Sequence, residues 1–326
     1  MLVKSIWTDI EELLSLSLDS LLEKAWDIRT KNFPHALNIS VPSAKTYITD
    51  HYRNKRDVFV NISVTGDKCA LNCEHCKGRL LESMIPAQNP SKLKEIGDAL
   101  IEKGCKGILI SGGALADGMV PLDDYIESIW YLKQRGFKVI VHTGLVNEDI
   151  ARKLKAVDVD QVLIDIIGDK ETINKVYHLD KAPEDFEKSL EILKGAGLEI
   201  APHIIIGLDF GRITGEYNAL RMTSEFKPEV IVLVILSPMY GTPMYGVKTP
   251  SPEDVAKIAA IARIINPRTR ITLGCARPSG PLKIETEKQL IKAGVNSIAY
   301  PADEAIDYAH GLGLKTNFKE ECCSLL

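Results

Sequence analysis

No stretch of this 326-residue sequence is long and apolar enough to read as a membrane helix. The longest purely apolar run, residues 230–236, falls far short of the roughly 20 residues a span requires. Between Glu229 and Ser237 it reads as a buried strand. An excess of positive charge is missing too. The 40 Lys and Arg stand against 44 Asp and Glu, a net charge of -4, which disfavours a phosphate backbone as partner. The opening MLVKSIWTDIEELL turns acidic at once and has no small-residue cleavage site. A cytoplasmic protein is expected, bound to neither membrane nor nucleic acid. Fixed-period repeats, low-complexity runs and long Gly/Ser linkers are lacking, as are a Ser/His/Asp pattern and paired catalytic carboxylates. With 45% hydrophobic and 26% charged residues, the composition is that of an ordinary globular protein.

Cysteine, by contrast, is present in an uneven distribution. Seven residues, an odd number, argue against a disulfide framework in a reducing compartment. None precedes Cys69; Cys69, Cys73 and Cys76 then crowd one short segment, and Cys322 and Cys323 are adjacent. Scattered core thiols would not cluster in this way. Metal or cluster ligation is the natural reading, with a free core thiol as the alternative for Cys105.

From Val58 onward, short β-branched runs alternate with amphipathic helical stretches. Strands are predicted at 58–64, 107–111, 138–142, 161–166, 199–207, 229–236, 270–274 and 296–299. Helices are predicted at 91–104, 183–195, 252–265 and 284–294, with Pro and acids in the first turn at 182–185 and 251–254. Gly104, Gly136, Gly195 and Gly294 are candidate helix ends. The strands are apolar nearly throughout, as when both faces of a parallel sheet are covered. This pattern fits an α/β fold, a (β/α)8 TIM-type barrel with an N-terminal helical extension. An open doubly wound sheet is the rival, because periodicity does not report closure. The expected organisation is a helical lead over 1–55 with an amphipathic stretch at 10–29, a core over 56–245, and a completing region with a Cys-bearing tail over 246–326.

The triad has the spacing Cys-x3-Cys-x2-Cys and follows the first predicted strand, at the strand end where barrel active sites form. Three thiolates in one loop can each take one iron of a cubane cluster and leave the fourth iron open to a chelating small molecule. A structural zinc site using His75 is the alternative, but zinc ligands usually come as two close doublets.

Here the chain resembles the radical S-adenosylmethionine (SAM) superfamily. Ser111, Gly112 and Gly113 resemble its glycine motif for the methionine amino group, with Ala114 where an acid is usual. The segment from His203 to Gly207 resembles the fifth-strand motif whose backbone meets adenine, with His203 replacing a glycine; Ile206, Gly207 and Leu208 are its binding candidates. His75 holds the place beside the last cysteine, and Asp165 and Asp169 are candidates for the ribose hydroxyls, each also readable as a solvated acid. The resemblance implies a [4Fe-4S] cluster with an open iron on Cys69, Cys73 and Cys76, SAM bound to it, and hydrogen abstraction by a 5′-deoxyadenosyl radical.

Along its whole length the chain is similar to the biotin synthase branch, through residues 11–25, the Gly-Thr-Pro-Met at 241–244 and residues 293–298. The second-cluster cysteines of biotin synthase have no counterpart in 107–111, 138–142 or 199–207. Cys275 ends the seventh predicted strand, and the tail thiols Cys322 and Cys323 are expected to have no core to join. A second, auxiliary iron–sulfur cluster on Cys275, Cys322 and Cys323 is expected, with Ser324 or Cys105 as fourth ligand. The alternative is a frayed tail and a buried Cys275. The archaeal-type two-component lipoyl synthase subunit is the best resemblance. It implies sulfur insertion into an octanoyl chain on a lipoyl-domain or H protein, with a homologous radical SAM partner subunit and a ferredoxin or flavodoxin reductant. A biotin synthase-like enzyme, or a single-cluster radical SAM enzyme doing rearrangement or C–C chemistry, is the alternative; a SAM-free electron carrier or zinc protein is a third reading. Arg277 could meet a carboxylate or the auxiliary cluster, or form a surface ion pair. Lys181 could reach the SAM carboxylate, or be solvated. Met239, Tyr240, Met244 and Tyr245 could line an acyl channel, or pack on the rim.

Overall fold

A computed structural model describes residues 6–326; the first five residues of the N-terminal lead lie outside it. Two helices, α1 (Ile6–Leu14) and α2 (Leu18–Asn32), cover the predicted amphipathic stretch. They are separated where Ser17 caps α2 by accepting from the Ser20 N–H. The lead is not wholly helical, however: Ala36–Ser40 forms a strand, β1. The eight predicted strands follow as β2 (Phe59–Ser63), β4 (Gly107–Ser111), β5 (Lys138–His142), β6 (Gln161–Asp165), β7 (Ile200–Ile206), β8 (Val230–Ile235), β9 (Arg270–Leu273) and β10 (Ser297–Ala299). Two short additions, β3 (Ile85–Pro86) and β11 (Lys315–Lys319), make eleven among the described residues. The helices between them are α3 (Pro90–Glu102), α4 (Ile126–Gln134), α5 (Glu148–Ala156), α6 (Lys170–Tyr177), α7 (Pro183–Gly195), α8 (Glu216–Glu225), α9 (Pro252–Ile265), α10 (Pro281–Lys292) and α11 (Asp303–Gly311).

Every ladder is parallel, and the order is β11-β1-β10-β9-β8-β7-β6-β5-β4-β2-β3. The architecture is therefore an α/β fold built on a curled parallel sheet. One cluster of buried side chains draws Ile39 of β1, Phe59 of β2, Leu163 of β6 and Val232 of β8 together. Strands far apart in the order can share an interior only if the sheet curls. The Ser43 N–H donates to the Phe59 carbonyl at 3.0 Å, stitching the exit of β1 to β2. The expected eight-strand barrel thus becomes a longer curl into which β1 is inserted beside β10.

The reason for β1 lies in its neighbours. Leu37 and Ile39 are fully buried, and the buried Arg29 of α2 donates to the Pro34 carbonyl at 3.0 Å and to the Ala36 carbonyl, turning the chain from helix into strand. Gly294, at φ +83°, lets α2 close in, because a Cβ there would stand 3.0 Å from the Ala25 carbonyl. Gly104 and Gly136 take left-handed conformations as predicted, but after α7 that role falls to Gly197 and not Gly195.

Candidate active site

The cysteine loop leaves β2 and is pinned to the exit of β4. The Val64 N–H donates to the Ser111 carbonyl and the Ala70 N–H to the Ala114 carbonyl, both at 2.8 Å. Gly113 makes the approach possible: a Cβ there would lie 2.0 Å from the Lys68 carbonyl and 2.6 Å from the Cys69 Cα. Its N–H donates to Thr65 Oγ1 at 2.7 Å. Beside it opens a cavity of about 620 Å³, lined by Thr65, Lys68, Cys69, Gln88, Gly113 and Leu115 among others. Cys73 and Cys76 are buried against each other and share a hydrogen. The Cys73 thiol donating to it pulls Cys76 down to about 4, with His75 adding to the effect against the cost of burial. The same contact and burial push Cys73 up. Three soft thiol donors on one loop, two of them buried, fit an iron–sulfur cluster. The buried His75 Nδ1, which has no hydrogen-bond partner among the described residues, is consistent with a further group at this position.

The cysteine loop leads into a polar chain inside the curl. The Glu74 N–H donates to the Val176 carbonyl at 2.9 Å, tying the loop to α6. The rings of His75 and Tyr177 stand 5.4 Å apart, and the Tyr177 hydroxyl donates to Asp165 Oδ2 at 3.4 Å. Asp165 Oδ1 lies 3.4 Å from His142 Nε2, and the His142 ring meets that of His203 edge-on at 5.7 Å. Burial alone would raise Asp165, yet His142, with His203 and His75, holds it at about 2. Burial disfavours the His142 cation, but Asp165 overcomes it and raises His142. Burial and the His142 charge lower His203 to about 4.

Of the two ribose candidates, Asp165 faces this chain. Asp169 caps α6, accepting from the Thr172 N–H and hydroxyl at 2.7 and 2.6 Å. Ser111 spends its hydroxyl on the His142 carbonyl at 3.1 Å, and Gly112 packs on Val64 and Thr65. At the exit of β7, the Ile206 carbonyl accepts from the Leu236 N–H at 2.9 Å, and Leu208 is buried. The Gly207 N–H, at φ +83°, donates to Glu216 Oε1 at 2.7 Å. Glu216 is buried, which raises its carboxyl, and its other oxygen accepts from the Thr214 N–H at 2.8 Å. Sequence reasoning missed Glu216, Tyr177 and His142; an acid opening α8 directly after Gly215, and a histidine at a strand exit, were the available signals.

The C-terminal tail corrects an expectation. It does join a core. The Ser40 hydroxyl donates to the Glu321 carbonyl at 2.7 Å, and Gln161 Nε2 to the Ser324 carbonyl at 3.3 Å. Cys323, Ser324 and Leu326 are buried inside the curl, for Cys323 sits in the same cluster as Ile39 and Phe59. The tail turn Cys323–Leu325 packs on β8, β9 and β10, and Cys275, at the exit of β9, is exposed beside it; its thiol is pushed up by the surrounding protein, with Cys322 adding to the shift. The Cys323 thiol and the Ser324 hydroxyl, 3.4 Å away, pull Cys322 down to about 7 against burial. Cys323 is raised by Cys322 and by burial, with Cys275 contributing. Cys275, Cys322 and Cys323 therefore form one electrostatically linked group.

Other candidates resolve differently. Arg277 is neither on the surface nor beside a free carboxylate: its Nε and Nη2 bind Glu287 Oε1 at 2.9 and 2.6 Å, and Nη1 holds the Gly274 carbonyl at 2.8 Å. Both side chains are buried, so Arg277 fixes the exit of β9 beside Cys275. Cys105 is a buried thiol directed at the Val58 and Gly107 carbonyls, in a different buried cluster from Cys323. Lys181 pairs with Asp185 at 3.6 Å along α7. Met244 is fully buried, whereas Tyr240 and Tyr245 are exposed and pack edge to face at 5.2 Å.

Comparison with known proteins agrees with this geometry. Residues 63–211 match the model of the Radical SAM superfamily, and residues 233–313 that of the Biotin and Thiamin Synthesis associated domain. Biotin synthase of Neorickettsia sennetsu is 27% identical over 90% of this chain and 86% of its own. That of Actinobacillus pleuropneumoniae serotype 7 is 24% identical over 89% and 82%. Methylornithine synthase shares the fold at a TM-score of 0.62 and 17% identity, covering 95% of this chain and 93% of its own. The [FeFe]-hydrogenase maturase HydG from Carboxydothermus hydrogenoformans shares it at 0.63 and 16%, covering 96% and 79%. By these matches the chain is similar to radical SAM superfamily proteins over residues 63–211, to the Biotin and Thiamin Synthesis associated domain over residues 233–313, and to biotin synthases over most of its length.

Proposed function

We propose that this radical SAM enzyme inserts sulfur into an unactivated C–H bond, with an auxiliary iron–sulfur cluster on Cys275, Cys322 and Cys323 as the sulfur source. The observation that carries the reading is the packing of the tail turn on β9, which puts the exposed strand-exit thiol Cys275 within electrostatic reach of two tail thiols more than forty residues away in sequence. A [4Fe-4S] cluster on Cys69, Cys73 and Cys76 with SAM on its open iron supplies, when reduced, a radical able to abstract hydrogen from carbon. The chain's own part is to bind and enclose. Ser111, Gly112 and Gly113 would receive the methionine end of SAM; Ile206, Gly207, Leu208 and His75 would face its adenine. Asp165, held ionised by His142, would take the ribose hydroxyls, while Asp169 shapes the loop by capping α6. Ser324, donating to Cys322, is the favoured candidate for a fourth ligand; Cys105 packs in the other buried cluster.

The relatives favour a biotin synthase-like reaction. The finer reading, an octanoyl chain on a lipoyl-domain or H protein with a homologous radical SAM subunit and a ferredoxin or flavodoxin, rests on the cysteine-free strands β4, β5 and β7. Iron and sulfide per chain test the common core. After anaerobic reconstitution, wild type should bind about eight irons and the Cys69/Cys73/Cys76→Ala variant about four. About four in wild type and none in the variant would refute the auxiliary cluster and leave single-cluster chemistry. Incubating the loaded protein with SAM and either an octanoyl H protein or a sulfur-free biotin precursor then separates the two substrates.

A further inference from the structure

We infer that His51, Asp307 and His310 form a surface binding site for a divalent transition-metal ion of the Zn²⁺ class, separate from the cysteine chemistry. Asp303, Asp307 and His310 follow one another at i, i+4 and i+7 on α11, which sets them in a row on one helix face. Across that face lies the connection between β1 and β2. It is pinned there by the Asp50 N–H, which donates to Asp303 Oδ1 at 3.2 Å. The pin delivers His51: its Nε2 stands 3.0 Å from Asp307 Oδ1 and 4.0 Å from Asp303 Oδ1. The His51 and His310 rings meet nearly perpendicular, with centroids 5.5 Å apart.

One ligand atom from each of His51, Asp307 and His310 lies within 4.8 Å of the others. Donors on a tetrahedral Zn²⁺ at roughly 2.1 Å stand about 3.4 Å apart, so small side-chain rotations close the site. Two imidazoles and a carboxylate are the nitrogen and oxygen set that zinc accepts, and Asp303 adds negative charge beside them. An outer partner is present as well. His310 Nε2 is 3.0 Å from Thr316 Oγ1, which orients the ring and leaves Nδ1 to face the ion. A plain His51–Asp307 hydrogen bond accounts for one pair of atoms; it gives no reason for the second imidazole or the neighbouring carboxylate. Bound there, the ion would clamp the β1–β2 connection to α11 and, through Thr316, to β11.

The test is calorimetric titration of Zn²⁺ into untagged, cluster-loaded protein, where iron occupies the thiols. Wild type should take up one more Zn²⁺ per chain than His51→Ala or His310→Ala, and its thermal midpoint should rise with Zn²⁺ while theirs do not. Residual thiol binding would be common to all three and subtracts out. Equal stoichiometry in wild type and both variants, or no binding below about 1 mM, would overturn the site.

Discussion

Asp165 and His142 show how far a pair of side chains can move each other inside the curl. Each would favour its neutral form by burial alone, yet together they hold an anion at about 2 and a raised imidazole. An unfolded Asp titrates near 3.9 and an unfolded His near 6.5. Asp165's contribution to stability is present above about 3.9 and lost as the pH falls toward 2; that of His142 is present below about 6.5 and lost as the pH rises through its raised value. The pair therefore stabilises most between about 4 and 6.5. In the iron-free Asp165→Asn protein, the His142 ring should titrate below the ordinary histidine value, since burial is then opposed only by Cys322. Ring-proton NMR reads this directly, and an unchanged His142 would dismiss the pairing. At Gly113 the question is steric. Gly113→Ala drives a methyl into the Lys68 carbonyl and Cys69 Cα, so the cysteine loop must shift. Iron retained at the triad should fall severalfold, with about 1–3 kcal/mol lost from stability.

Among elements, a buried ion pair ties the exit of β9 to α10, and Arg277 also donates to the Ala299 and Tyr300 carbonyls at the exit of β10. Arg277→Ala leaves the buried Glu287 only Lys283 at 3.7 Å and the Ala302 N–H as partners, and should cost about 3 kcal/mol in urea unfolding. Combining Arg277→Met with Glu287→Leu should recover much of that loss, because no charge is then stranded. The strands that sequence periodicity located are those with apolar side chains on both faces, such as Val230–Ile235. Two that it missed, β1 and its neighbour β11, fail for different reasons. In Ala36–Ser40 only Leu37 and Ile39 carry the apolar signal, and Asn38 interrupts it. Lys315–Lys319 is an edge strand, polar at almost every position, ordered by β1 and not by burial of its own. The cysteine triad was legible because its ligands share one loop. Tyr177, His142 and Glu216 were not, since each finds its partner on a different element.

For the whole molecule, the tail acts as an interior plug. Glu320 Oε1 accepts from the Lys55 N–H at 2.6 Å and the Tyr52 hydroxyl at 3.2 Å, while Cys323 and Leu326 fill the curl. Ending the chain after Lys319 should remove on the order of 3–5 kcal/mol through lost burial and hydrogen bonds. A urea midpoint unchanged by the truncation would mean that the plug is decorative. The position of β1 also constrains how the protein is made. Its ladder partners lie at 297–299 and 315–319, so β1 emerges from the ribosome long before either neighbour exists. During translation the β2–β4 region can already shape the first cysteine loop, whereas β1 must wait for nearly all the remaining chain. The two cysteine groups are thereby ordered in time: the triad loop can form early, whereas Cys275 and Cys322 come together only once the residues beyond β11 have been made.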